Sequence, residues 1–131
     1  MNYENAVRHT WRHSELSLVR SDIRELVRYA TLAASSHNTQ PWRFEITADG
    51  ISIRPDLTRR CSAVDPDNHH LYASLGCAAE NLLLAGEAAG FKGSAGFDTD
   101  GTSLDIVLED ASPNRTPLFD AILSRQCSRT E

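Results

Sequence analysis

The longest regular pattern in the chain runs from about His69 to Gly90 and predicts one helix on the order of 33 Å long. One face of this helix is apolar, and the stripe beside it is interrupted by glycine. The apolar face consists of Leu71, Leu75, Ala78, Leu82, Ala85 and Ala89. The glycine-interrupted stripe consists of Gly76, Ala79, Leu83, Gly86 and Gly90. Each glycine costs about 1 kcal/mol relative to alanine inside a helix. Three on one stripe therefore indicate either a close packing contact or a nearby ligand.

A second amphipathic helix is predicted to begin at Ser21, which is a good N-cap, with Asp22 in its first turn. Its apolar positions follow the 3.6-residue period and are Ile23, Leu26, Val27, Ala30, Ala33 and Ala34. Residues 1–20 show little periodicity and are interpreted as an irregular or partly helical N-terminal arm.

Two stretches that alternate between apolar and polar residues predict β-hairpins. The first runs from Trp42 to Arg54 with its turn at Asp49-Gly50, and the second from Lys92 to Glu109 with its turn at Asp100-Gly101. The prolines of residues 55–68 indicate a loop, and Thr116-Pro117 is typical of the start of a short final helix. The predicted fold class is α+β, with an antiparallel-rich sheet of about four strands flanked by helices.

Composition excludes several classes of protein. With 131 residues the chain has the size of one small domain, and its net charge of -5 disfavours nucleic-acid binding. No apolar run approaches the ~20 residues of a membrane span, and the N-terminus lacks the apolar core of a secretory signal. We therefore predict a cytoplasmic protein. Three cysteines without CxxC spacing predict free thiols rather than disulfides or a zinc site.

The histidines and serines do not form a recognised catalytic or metal-binding motif. His9 and His13 have helical spacing but no third ligand nearby, and the acidic run that ends before His69 is interpreted as a turn and helix cap. No Gly-x-Ser-x-Gly elbow or glycine-rich phosphate loop is present. We therefore predict no metal site and assign no catalytic acid or base.

The segment Ser35-Ser36-His37-Asn38-Thr39-Gln40-Pro41-Trp42 joins the second helix to the first hairpin. Its side chains compete with the helix for backbone hydrogen bonds, and Pro41 favours an extended Gln40, so the helix is expected to end here. The turn then presents hydroxyls and amides together, as a site for a polar ligand edge requires. The alternative is an ordinary connection between a helix and a strand.

Four segments resemble the N-terminal lobe of tandem nitroreductase-like proteins, the Acg-type branch described as FMN-binding oxidoreductases. These segments are Ala33 to Phe44, Arg54 to Arg60, Asp65-Pro66 and Leu75 to Leu82. The resemblance covers most of residues 21–129 and implies an α+β fold with FMN where two lobes or subunits meet. The flavin contacts that it implies are Ser35, Ser36, Asn38 and Gln40. Cys77 and Glu80 also match this branch, without an assigned role.

The last residues resemble the Arg-x-Ser-x-Arg start of a nitroreductase lobe, so Arg125 and Arg129 are the implied ligands of the FMN phosphate. Cys127 replaces the central hydroxyl of that motif, although Ser128 lies beside it. A basic C-terminus without a binding role is the alternative. The predicted organisation is an arm over residues 1–20, a lobe over 21–124 and the start of a truncated second lobe over 125–131.

The resemblance implies an oxidoreductase that transfers electrons from NAD(P)H through FMN to a small-molecule acceptor. The flavin site would be completed by a homodimer partner or by a second nitroreductase-like lobe. Two alternatives stay open. The chain could be a catalytically inactive module that captures FMN or pairs with another lobe, or a truncated remnant.

Overall fold

The computed structural model describes residues 2–10 and 23–127, which form an α+β architecture. Ser21, Asp22, His13 and Arg129 lie outside the described residues, as does most of the predicted arm. The helices are α1 Tyr3–Thr10, α2 Ile23–Thr31, α3 His69–Ala89 and α4 Pro117–Ala121. The strands are β1 Trp42–Ile46, β2 Gly50–Pro55, β3 Phe91–Phe97 and β4 Leu104–Asp110. Short 3₁₀ turns lie at Ser36–Asn38, Leu57–Arg59 and Ile122–Ser124.

The four strands form one antiparallel sheet in the order β1-β2-β4-β3. Both predicted hairpins are confirmed, and they join through the pairing of β2 with β4, in which Ile51 lies opposite Ile106. Alternate residues of the inner strands face the helices, because side chains of a strand point to opposite faces. Ile51, Ile53, Leu104 and Ile106 are accordingly buried.

Helix α3 is the central support of the fold, since it contacts α2, α4 and three strands. Its predicted length and its apolar face are confirmed, with Leu75 and Leu82 fully buried in the core. The Nδ2 group of Asn81 donates to the carbonyl oxygen of Tyr29 over 3.1 Å and thereby ties α3 to α2. The Tyr29 ring lies 5.0 Å from that of Phe119, which extends the same core to α4.

The glycine stripe of α3 has different surroundings at each position. A Cβ at Gly86 would lie 3.5 Å from the side chain of Leu108, an ordinary contact with the sheet. Gly90 ends the helix with a left-handed φ of 91°, and its N–H bonds to the carbonyls of Glu87 and Gly86. Gly76 has no atom of the described residues within 4 Å of such a Cβ. Helix–sheet packing and capping therefore account for Gly86 and Gly90.

The prediction that Gly50 forms the first hairpin turn is wrong. Gly50 is the first residue of β2, and the turn lies at Thr47 to Asp49, closed by a 3.0 Å bond from the Thr47 N–H to the Gly50 carbonyl. A Cβ at Gly50 would overlap the carbonyl oxygen of Ile106 on β4. Glycine is required here by the close approach of two strands, which is a long-range contact.

The acidic run before α3 is a turn and a helix cap, as predicted. Asp65 is only 3% exposed. Its two carboxylate oxygens accept hydrogen bonds from the N–H groups of His70 and Leu71, and both donor–acceptor distances are 3.0 Å. Burial opposes the charge of Asp65, but these two hydrogen bonds, together with the nearby His70 and His69, outweigh it and hold the pKa of Asp65 below its usual value. Asp67 caps the His69 N–H less closely, at 3.3 Å.

Replacing Asp65 with asparagine is expected to lower the melting temperature on the order of 5 °C at pH 7, because one cap bond and the negative charge near the helix N-terminus are lost. Since the folded pKa of Asp65 is depressed, its contribution is fully present above the unfolded value of about 4 and is lost as the pH falls through the lower folded value. The melting temperatures of wild type and D65N should therefore converge in acid. D67N is the matched control and should have a smaller effect. Equal losses in both variants, or a difference that does not vary with pH, would contradict this assignment.

Candidate functional site

The polar turn between α2 and β1 has an unusual backbone. Helix α2 ends at Thr31, so Ala33 and Ala34, which were predicted to be helical, lie beyond its end. His37, Asn38 and Gln40 then adopt positive φ values of 52°, 53° and 49°. The expectation of an extended Gln40 is therefore wrong. A left-handed conformation costs an L-residue roughly 1–2 kcal/mol, although asparagine tolerates it better than most. The surrounding structure must compensate for this cost.

Hydrogen bonds within the turn provide part of that compensation. The N–H of Asn38 donates to the Ser35 carbonyl over 3.0 Å, and the N–H of Gln40 donates to the Ser35 hydroxyl over 3.0 Å. Thr39 bonds the Ser36 carbonyl through both its N–H, at 3.1 Å, and its hydroxyl, at 3.0 Å. These bonds join residues within the turn and fix its conformation.

Two side chains from other segments also hold the turn. The Ser74 hydroxyl of α3 accepts the Ser36 N–H over 3.1 Å, and Arg59 donates to the Thr39 carbonyl over 3.2 Å. The Arg59 segment is itself held by Asp56, whose pKa is lowered to about 2 by the Thr58 hydroxyl and by the Arg43 guanidinium. The turn is thus supported by both the long helix and the loop after β2.

A cavity of about 840 Å³ lies between the polar turn and the C-terminal segment that follows α4. Its lining residues are Ala33, Ala34, Ser35, His37, Asn38, Leu123, Arg125, Gln126 and Cys127. The two walls are about 90 residues apart in the chain, and a 3.0 Å bond from Arg125 Nη2 to the Leu32 carbonyl joins them. Its volume falls in the range of small-molecule sites, roughly 300–1,000 Å³.

Three of the residues singled out from the sequence meet at this cavity, namely Ser35, Asn38 and Arg125. Ser36 and Gln40 are not among the described lining residues. The Ser36 hydroxyl lies 3.0 Å from His37 Nδ1, and the Gln40 side chain is exposed. Arg129 lies outside the described residues.

His37 and Ser74 are the residues that the sequence reasoning missed. His37 contributes an imidazole to the cavity wall, and its position inside the polar turn was a usable signal. Ser74 is buried in α3 and touches the turn only because of the tertiary fold. Its sequence surroundings resemble those of any other core position on the helix.

Arg125 contributes a guanidinium group to the cavity wall. Its Nη1 donates to Cys127 Sγ over 3.1 Å, and its Nε is buried without a hydrogen-bond partner in the described part of the chain. A buried donor without an acceptor is costly, and a permanently charged guanidinium binds anions such as phosphate well. This side of the cavity is therefore suited to a negatively charged group.

Metal ligands, membrane-spanning helices and cysteines were also considered in the described residues. Within residues 2–10 and 23–127, no group of three or more histidine, cysteine, aspartate or glutamate side chains is placed to hold a metal ion. No helix in those ranges is long and apolar enough to cross a membrane. Cys61, Cys77 and Cys127 are free thiols, as their number and spacing predicted.

The chain is similar to two proteins of Mycobacterium tuberculosis, one from strain CDC 1551 / Oshkosh and one from strain ATCC 25618 / H37Rv, each named "Putative NAD(P)H nitroreductase". Identity to each is 33% over 72 residues, which covers 53% of this chain and 20% of the relative. The matched stretch thus spans about a fifth of the length of these relatives. No family model matches the chain. The similarity supports the relationship to nitroreductases that the motifs predicted.

Proposed function

We propose that this chain is a nitroreductase-like lobe that binds FMN and, once a partner completes the site, transfers electrons from NAD(P)H to a small-molecule acceptor. The observation that carries the proposal is the cavity in which the polar turn meets Arg125. The partial similarity to proteins named as NAD(P)H nitroreductases supports the same activity. Membership of the tandem, Acg-type branch is part of the proposal and rests on the segments quoted above.

The residues of the cavity fit the chemistry of FMN. The guanidinium of Arg125 would offer a charged donor to a phosphate, while the Ser35 hydroxyl and the Asn38 amide would offer neutral groups to the polar edge of a ring. Ser36, Gln40 and Arg129 are further proposed contacts of FMN. When bound, FMN would supply the redox chemistry.

The chain's own residues would bind and orient the cofactor. The left-handed backbone at His37 and Asn38 directs polar groups of the turn toward the cavity, and Ala33 and Ala34 provide an apolar surface beside them. No side chain is assigned as an acid or base. We propose that the remaining wall comes from a second copy of the chain or from a second nitroreductase-like lobe, because the described residues line the cavity from two segments only.

The test is the absorbance spectrum of the purified chain near the flavin bands, with and without added FMN, together with its mass in solution. Bound FMN in a dimer, followed by NAD(P)H oxidation with an added quinone or nitro compound, is the expected result. A chain that takes up no FMN even at high concentration would overturn the proposal.

The second candidate function is a catalytically inactive module that captures FMN or pairs with another lobe. It requires only the cavity lined by the polar turn and the C-terminal segment, and no site for NAD(P)H. Retention of FMN without NAD(P)H oxidation in the dimer would select this candidate over the enzyme.

A further inference from the structure

Ser74 is a buried hydroxyl on α3 that contacts the polar turn. Its side chain is only 4% exposed, accepts the Ser36 N–H over 3.1 Å and donates to the His70 carbonyl over 2.7 Å. A hydroxyl can donate and accept at the same time, so Ser74 links the turn to the backbone of the longest helix.

Apart from Ser74, the turn is bonded from outside at its end near β1, where the Asp56 N–H donates to the Pro41 carbonyl over a distance of 2.9 Å. The bonds made by Ser35 and Thr39 join residues within the turn, and they would persist if the turn moved as a unit. Arg59 also reaches the turn from outside, but its side chain is 56% exposed and also lies 3.7 Å from Asp56. Ser74 is therefore the buried connection between the turn and α3.

We propose that Ser74 is a positioning residue of the candidate site, which fixes the Ser36 amide and thereby holds the left-handed backbone of His37 and Asn38 at the cavity wall. This inference rests on the proposed function for its ligand. The other part of the inference, that Ser74 holds the backbone of the turn, is independent of the proposed function. Removal of the hydroxyl leaves the Ser36 N–H without its acceptor, and a strained backbone then relaxes toward more common conformations.

The test compares S74A, S74T and the wild-type chain. S74A favours the helix, since alanine has the highest helix propensity, so α3 should still form. S74T keeps a hydroxyl and serves as the rescue variant. The matched control is S52A, because Ser52 is also 4% exposed and also donates over 2.7 Å, to Asp105 on the sheet.

Two readouts are measured on each variant, namely the hydrogen exchange rates of the Ser36, His37 and Asn38 amides without ligand, and the Kd for FMN from its fluorescence. We expect S74A to exchange these amides faster and to bind FMN about tenfold more weakly. S74T should recover most of both properties. S52A should leave them within about twofold of the wild type.

The two proposals fail in different ways. If the wild type does not bind FMN, the proposed function fails, while faster exchange confined to S74A would still support the anchor. If S74A keeps the wild-type exchange rates, the anchor is refuted whatever the affinity for FMN. Equal weakening of FMN binding in S74A and S52A would also refute the anchor, because the lower affinity would then result from a less stable fold.

Discussion

Replacement of Gly50 by alanine is expected to destabilise the fold by about 3 kcal/mol or more, with a fall in melting temperature on the order of 10 °C. The added Cβ would overlap the Ile106 carbonyl oxygen and lie 3.0 Å and 3.2 Å from Ile106 C and Val107 Cα. These are backbone atoms of β4, so no side-chain rotation can relieve the overlap. The β2–β4 pairing is also the contact that joins the two hairpins. Thermal unfolding followed by circular dichroism measures the effect.

Gly96 on β3 provides the matched control for this substitution. A Cβ at Gly96 meets no atom of the described residues within 4 Å, and alanine restricts the unfolded chain more than glycine does. G96A should therefore keep the wild-type melting temperature or raise it slightly. Similar losses in G50A and G96A would show that the loss does not depend on the close approach of β4, and the explanation given for Gly50 would then be wrong.

Replacement of Arg125 by methionine is expected to weaken FMN binding by about 10- to 100-fold, because hydrogen bonds to a charged group contribute about 1.5–3 kcal/mol. Methionine keeps much of the length and apolar character of the side chain while it removes the guanidinium. If Arg125 binds the phosphate, as proposed, the affinity for riboflavin should change little, since riboflavin lacks that group. Titration of both flavins, followed by fluorescence quenching, measures the difference.

Arg54 provides the charge-matched control for Arg125. It lies on β2, is 61% exposed and forms a 3.2 Å ion pair with Glu45. Because exposed ion pairs contribute little, R54M should bind both flavins like the wild type. Equal loss of FMN and riboflavin in R125M would indicate that the Arg125–Leu32 bond maintains the cavity shape, and the phosphate role would then be wrong.

Both substitutions test contacts between distant parts of the chain, and this is where prediction from the sequence was weakest. The length of α3, its apolar face and its acidic cap were predicted correctly, because they depend on residues within one or two helical turns. The two hairpins were predicted for a similar reason, since alternation and turn residues are local signals. The order in which the hairpins join was not predicted.

The candidate site was partly predictable. The composition of the polar turn singled out Ser35 and Asn38, and the basic C-terminal motif singled out Arg125. Only the fold places these two segments on opposite sides of one cavity, and only the fold separates the Ser36 and Gln40 side chains from its lining. The positive φ of Gln40 also opposed the local preference that Pro41 imposes, because the Ser35 hydroxyl accepts its N–H.

The sequence by itself determined the long helix α3, the two hairpins and the polar character of the turn, since each follows from short-range periodicity, capping and side-chain chemistry. The tertiary structure alone decided why residue 50 is glycine, which hydroxyl of α3 holds the turn, and where Arg125 lies relative to Asn38. Each of these depends on atoms that are far apart in the chain and meet only after the core of α2, α3 and the sheet has formed. Local sequence patterns carry no information about these long-range contacts, because many topologies would satisfy the same periodicities.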